Sequence, residues 1–318
     1  MAILQLTAGF ILLFISGNQL VKSSIDIARH LRISTLTAGL TFAAFGTSAP
    51  ELFVSVKAAY TGVSDLAIGN IAGSNIANIG LIIGSVALIA PISLKNPGIW
   101  FDWAVMVVAT LMLMIFSYNG YIGILEGIVM LLSLSAYIFW IISKSRNINQ
   151  KRVIDERIIP SKSIIHTTIL LLISSVGLYL GADLLVNGAT SLASSWGVSD
   201  RVIGVSVVAF GTSIPELATS LTAVIKKEND ISAGNIIGSN IFNIWAVLGV
   251  TSIITPLPVN DALMLTVDLI WSLIFAIMLL LFILPLRDGK ITRLKGSLLF
   301  LLYISYIYIV ISDIHILC

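Results

Sequence analysis

The sequence predicts an all-α polytopic membrane protein whose ten transmembrane helices form two inverted five-helix repeats. Three observations point there. Hydrophobic residues make up 57% of the 318 residues and charged residues 11%, with a mean hydropathy of +1.02, whereas a soluble domain carries about 25% charged residues. Apolar runs near the roughly 20 residues needed to cross a bilayer recur from end to end. The chain also repeats itself: 25 of the 58 positions from Ser34 to Pro91 are identical to the residue 165 positions later.

Breaks between the apolar runs set the helices at 2–29, 34–60, 66–90, 99–117, 121–143, 164–195, 200–225, 231–254, 262–285 and 295–313. The first run lacks the basic lead-in of a signal peptide, and its register continues as Asn18 with Asp183, Val21 with Val186 and Ala28 with Ala193. It is therefore read as the first helix, the partner of the sixth. The second and seventh helices carry "FGTSAPELFVS" and "FGTSIPELATS", and the third and eighth carry "GNIAGSNIANI" and "GNIIGSNIFNI". The fourth, fifth and ninth begin near Asp102, Glu126 and Asp268, acids that suit the positive end of a helix dipole.

Between the halves lies "KSRNINQKRVIDERIIPSKS", 144–163, whose mixed charges read as a linker. The predicted units are 1–143, with its repeat segment at 34–91, the linker, and 164–318, with its repeat segment at 199–256. With the amino terminus extracytoplasmic, 16 of the 18 Lys and Arg residues fall on the cytoplasmic side, leaving only Lys57 and Arg201 outside, as the positive-inside rule requires. Both termini are then extracytoplasmic and the 144–163 linker cytoplasmic. Five spans separate each residue from its echo, and an odd number of crossings inverts the second copy. A net charge of +2 gives no basic excess for nucleic acid, and the single Cys318 allows no intrachain disulfide or thiolate cluster.

The polar residues inside the repeats offer only oxygen. Thr47, Ser48 and Glu51 share one helix face, as do Thr212, Ser213 and Glu216. Ser74 and Asn78 are four apart, as are Ser239 and Asn243. Pro50 and Pro215 lack an N–H and so release the carbonyls of Gly46 and Gly211; irregular backbone at membrane depth is tolerated where it lines a cavity. Carboxylates, hydroxyls, amides and carbonyls suit a hard cation such as Ca²⁺ or Na⁺, and the absence of a His or Cys cluster argues against zinc or copper.

An ionisable side chain at a helix centre costs about 2.5–3.5 kcal/mol on insertion scales, so two at equivalent positions imply use. The alternative is that protonated Glu51 and Glu216 hold helices together and that Ser74, Asn78, Ser239 and Asn243 pack them. Asp183 beside Asn187 reads as a packing or helix-end group, and His30, His166 and His315 as interfacial residues. The sequence contains no HExxH and no nucleophile paired with a membrane His, so it is not read as an enzyme.

The paired motifs resemble the alpha-1 and alpha-2 repeats of the sodium/calcium exchangers of the cation/calcium antiporter superfamily, prokaryotic type, over nearly the whole chain. The resemblance implies Na⁺/Ca²⁺ antiport by alternating access. It implies that Glu51 and Glu216 bridge a central Ca²⁺, with main-chain oxygens from Thr47 and Thr212. Ser48, Ser74, Ser213 and Ser239 would form flanking Na⁺ sites, and Asn78 and Asn243 would complete the centre. The first and sixth helices would slide over the other eight. Asn243 stands where some members carry Asp, which leaves two formal negative charges and implies electrogenic, K⁺-independent exchange. Thr-Ser in both motifs favours Na⁺ over H⁺. Ca²⁺ and Na⁺ are substrates rather than cofactors, the bilayer is the other partner, and one chain holds the whole predicted site. A Ca²⁺/H⁺ antiporter, a cation channel or a structural membrane protein are the rival readings.

Overall fold

A computed structural model describes residues 2–62, 64–93, 96, 98–152, 163–195, 211–259, 264–283 and 290–316. The helices are α1 (Ala2–Leu31), α2 (35–47), α3 (Ala49–Tyr60), α4 (Ser64–Ile89), α5 (Ile99–Ser117), α6 (Ile124–Arg152), α7 (Ile164–Ser195), α8 (Ile214–Ile225), α9 (Asn229–Ile254), α10 (Leu265–Ile283) and α11 (Arg293–Ile316). Among the described residues, eight of these are long and apolar enough to cross a membrane. The other two spans are broken: α2 and α3 together make the second, and α8 is the described part of the seventh.

The second span, expected over 34–60 with irregular backbone near Gly46 and Pro50, stops and restarts. Ser48, at φ −80° and ψ 4°, ends α2, and α3 begins at Ala49 with Pro50 in its first turn. Ser213, at φ −88° and ψ 1°, does the same before α8 and Pro215. A proline at a helix start removes an N–H that would have had no partner there, so it nucleates the new helix instead of bending the old one. The fifth helix runs on to Arg152 instead of ending near 143. Residues 153–162 of the expected linker and 200–210 of the seventh helix lie outside the described residues.

The inverted symmetry is visible in local detail. α4 passes through a π turn at Asn78–Ile83 and α9 through one at Asn243–Leu248, 165 positions later. The chain leaving α4 forms β1 (Ile92–Ser93), which pairs antiparallel with β4 (Lys290–Ile291) between α10 and α11. The chain leaving α9 forms β3 (Leu257–Pro258), which pairs with β2 (Tyr121–Ile122) between α5 and α6. A Cβ on Gly84 would lie 3.1 Å from the carbonyl of Gly296, and one on Gly127 would lie 2.7 Å from that of Gly249, so α4–α11 and α9–α6 are equivalent close contacts. Close approach through small residues is the general means of packing helices in lipid.

α4 and α9 form the centre, with 78% and 83% of their apolar windows buried against 17–33% for the other six spans. α1 and α7 run antiparallel outside them. A Cβ on Gly9 would lie 2.8 Å from the carbonyl of Gly181, and one on Gly188 would lie 2.9 Å from the amide of Leu6. The apolar core divides accordingly. One cluster joins α4, α5, α6, α9, α10 and α11 with parts of α2, α3 and α8, and a second holds Leu13, Leu20 and Val21 of α1 with Leu171, Leu178 and Ala182 of α7, together with Ala43 of α2, Ile214 and Ala223 of α8 and Ile231 of α9.

Candidate ion-binding site

The two helix breaks bring the repeated motifs to the middle of the molecule. Glu51, in the first turn of α3, and Glu216, in the first turn of α8, are both fully buried and within electrostatic reach of each other. A carboxylate in the first turn faces unpaired N–H groups and the positive end of the helix dipole. Ser74 of α4 lies beside Glu51, and Thr47 of α2 and Ser239 of α9 lie beside Glu216. None of them completes a hydrogen bond to the carboxylates.

Thr47 instead bridges to α9, its hydroxyl 3.2 Å from both Asn235 Oδ1 and Ser239 Oγ. Its echo, Thr212, has no partner for its hydroxyl, and neither do Ser48 and Ser213 at the breaks. Asn78 and Asn243 are tied across the centre with their roles exchanged between the halves. Asn78 donates to Asn240 Oδ1 at 2.9 Å and Asn243 donates to Asn75 Oδ1 at 3.0 Å. Asn75 also donates to the Asn240 carbonyl at 3.2 Å. With their amide nitrogens committed, the Oδ1 atoms of Asn78 and Asn243 have no donor.

Buried polar atoms are nearly always paired, and each one left alone costs about 1–3 kcal/mol. Here the two oxygens of Glu51, the two of Glu216 and one each of Asn78 and Asn243 make six buried acceptors with no protein donor. A cation taking about six to eight oxygens at flexible geometry, as Ca²⁺ does, fits this donor set. The Ser48 and Ser213 hydroxyls add two further buried oxygens without a partner. Among the described residues no group of three or more His, Cys, Asp or Glu side chains is assembled, so the centre contains two carboxylates diluted by neutral oxygens.

Sequence reasoning passed over a supporting layer. Asn70 donates to Ser55 Oγ at 3.1 Å and Asn235 to Ser220 Oγ at 3.1 Å, equivalent bonds that clamp α3 to α4 and α8 to α9. Asn70, Asn75, Asn235 and Asn240 are identical in the two copies, and that identity is the signal that could have found them.

The sodium/calcium exchanger protein family matches residues 1–143 and 166–312. The chain belongs to the sodium/calcium exchanger family. This exchanger is 35% identical over 297 residues to uncharacterized membrane protein MJ0091 of Methanocaldococcus jannaschii, 93% of each chain. It is 29% identical over 345 residues to sodium/calcium exchanger MaX1 of Methanosarcina acetivorans, covering 96% of this chain and 97% of that one. A solved structure of the sodium-calcium exchanger NCX_Mj, soaked with 2.5 mM Na⁺ and 0.1 mM Ca²⁺, matches with a TM-score of 0.81 at 33% identity, covering 96% of this chain and 97% of that one. The exchanger is thus a multi-pass membrane antiporter of the cation/Ca²⁺ class and not an enzyme.

Proposed function

We propose that the exchanger trades Na⁺ for Ca²⁺ by alternating access, with Glu51 and Glu216 holding the Ca²⁺ and the neutral oxygens of Asn78, Asn243, Ser48, Ser74, Ser213 and Ser239 completing the cation sites. The main-chain oxygens of Thr47 and Thr212 join them at the breaks. The observation that carries this reading is the set of six buried acceptors without donors, divided evenly between two inverted repeats. Na⁺ and Ca²⁺ compete for the same two carboxylates, so their occupancies exclude each other. One Ca²⁺ neutralises two carboxylates and three Na⁺ exceed them by one charge, which makes the exchange electrogenic. No third carboxylate stands at Asn243 to call for K⁺. The Lys and Arg distribution supports a cell-membrane orientation with both termini extracytoplasmic and the 144–163 linker cytoplasmic.

An empty site would leave two uncompensated charges at membrane depth, so the unloaded protein resists the conformational change that loaded states undergo. A ligand biases two conformations only through its different affinity for each, and this bias couples the two fluxes. The test is uptake of radiolabelled Ca²⁺ into Na⁺-loaded proteoliposomes, with Glu51→Gln and Glu216→Gln beside the parent. Uptake is expected only with an outward Na⁺ gradient, and is expected to vanish in both variants. Uptake driven by a pH gradient without Na⁺ would assign the protein to Ca²⁺/H⁺ exchange. Uptake that survives both substitutions would make the glutamates structural, and uptake without any counter-flux would make the protein a channel.

A further inference from the structure

An apolar groove of about 370 Å³ lies on the outer side of α8, the half-helix that carries Glu216. It is lined by Phe10 and Phe14 of α1, Leu185 of α7, and Leu217, Leu221 and Ile225 of α8. Phe10, Phe14 and Ile225 are exposed, so the groove opens toward the hydrocarbon of the bilayer. α1 and α8 run side by side along it. A Cβ on Gly17 would lie 3.3 Å from the Ala218 carbonyl, and Lys226 Nζ donates to the Asn18 carbonyl at 3.1 Å. From the level of Phe10 to that of Lys22 the rise is roughly 18 Å at 1.5 Å per residue, close to the depth of one leaflet of a hydrocarbon core about 30 Å thick.

Two lysines stand just beyond the residues that line the groove. Lys226 follows Ile225 directly, and Lys22 of α1 is near enough that the two ammonium groups repel. Burial holds the Lys226 ammonium below the usual lysine range, Lys22 pushes it the same way, and Glu228 opposes them. Asp26, one turn from Lys22, is paired with Arg29 at 3.2 Å. Neither lysine has a carboxylate within ion-pair distance among the described residues. Lys226 uses one of its three donors on Asn18, which leaves two for a ligand.

We propose that this groove binds an acidic phospholipid, one acyl chain lying between α1 and α8 and the phosphate held by Lys22 and Lys226. Charge complementarity selects the occupant. Any membrane lipid supplies the chain, but a zwitterionic headgroup already balances its own phosphate, whereas an acidic one carries the net negative charge the two lysines lack. The bound lipid would bridge α1 to the half-helix bearing Glu216 and so tune its movement.

The test is native mass spectrometry of the purified exchanger after equilibration with an equimolar mixture of phosphatidylglycerol and phosphatidylcholine of matched chains. Selective retention of phosphatidylglycerol is expected. Retention should fall roughly tenfold or more in the Lys22→Gln/Lys226→Gln double variant, since each lysine near a membrane surface contributes attraction to acidic lipid. It should return in Lys22→Arg/Lys226→Arg, and an unchanged thermal midpoint in the glutamine variant excludes misfolding. Equal retention of the two lipids, or glutamine variants that hold phosphatidylglycerol as the parent does, would overturn the proposal. The measurement needs no ion gradient, so it stands apart from the antiport reading.

Discussion

At the scale of single residues, Asn243 separates a packing role from a ligand role. Its amide nitrogen donates to Asn75 and its amide oxygen has no donor. Hydrogen bonds between transmembrane helices are worth about 0.6 kcal/mol on average and at most about 1.7, so a purely structural Asn243 would cost little stability and leave transport intact. A ligand oxygen facing a cation is a charged interaction of about 1.5–3 kcal/mol, roughly tenfold or more in affinity. Asn243→Ala is therefore expected to move the thermal midpoint slightly while raising the Ca²⁺ concentration for half-maximal uptake about tenfold. Asn78→Ala should behave alike, because its bond to Asn240 is the inverted counterpart. A small midpoint shift with unaltered Ca²⁺ dependence would assign both residues to packing.

At the scale of elements, two bonds tie the peripheral helices together. Tyr137 of α6 donates to Asp102 of α5 at 2.9 Å, and Tyr306 of α11 donates to Asp268 of α10 at 2.8 Å. These are inverted equivalents, yet the sequence reading took the two aspartates for helix-start acids. The reason is register. Glu51 and Glu216, or Asn78 and Asn243, stand 165 positions apart, whereas the aspartates are 166 apart and the tyrosines 169, so an ungapped offset misses them. The central helices were legible because each copy repeats the other without insertion. Which amide meets which across the centre was not, since Asn78 bonds Asn240 and not its own echo. The break at Ser48 was half legible: Pro50 and Gly46 flagged irregular backbone there, but only the backbone itself shows that a new helix starts at Ala49. Tyr137→Phe deprives the buried Asp102 of its donor and should lower stability by about 1–3 kcal/mol, read as a fall in thermal midpoint. Asp102→Asn together with Tyr137→Phe should recover much of that loss, as the uncompensated acid is gone. A single variant as stable as the parent would show that the pair does not hold α5 to α6.

At the scale of the whole molecule, the division of the apolar core sets what can move. α1 and α7 meet through Gly9 and Gly181 and share the smaller core with Ala43 of α2 and with Ile214 and Ala223 of α8, while α4 and α9 lie mainly in the larger core with α5, α6, α10 and α11. Packed interiors resist deformation, so in the proposed cycle the change of access would fall at the seam between these cores. Thr47 is bonded to Asn235 and Ser239 of α9, whereas its echo Thr212 has no partner for its hydroxyl, so the two halves are not in identical local arrangements. If α1 and α7 slide as a pair, a covalent tie from α7 across the seam should arrest transport. Gly46 of α2 and Ser175 of α7 suit one: a Cβ on Gly46 would lie 3.6 Å from that of Ser175, within the roughly 3.5–4.5 Å of a disulfide. In a Cys318→Ser background, Gly46→Cys with Ser175→Cys is expected to lose Na⁺-driven Ca²⁺ uptake on oxidation and regain it on reduction, with each single variant indifferent to both treatments. Cross-linking verified by intact mass but accompanied by undiminished uptake would mean that α7 keeps its place beside α2 throughout the cycle. The moving part would then have to be sought in the half-helices themselves, where Ser48 and Ser213 already interrupt the backbone.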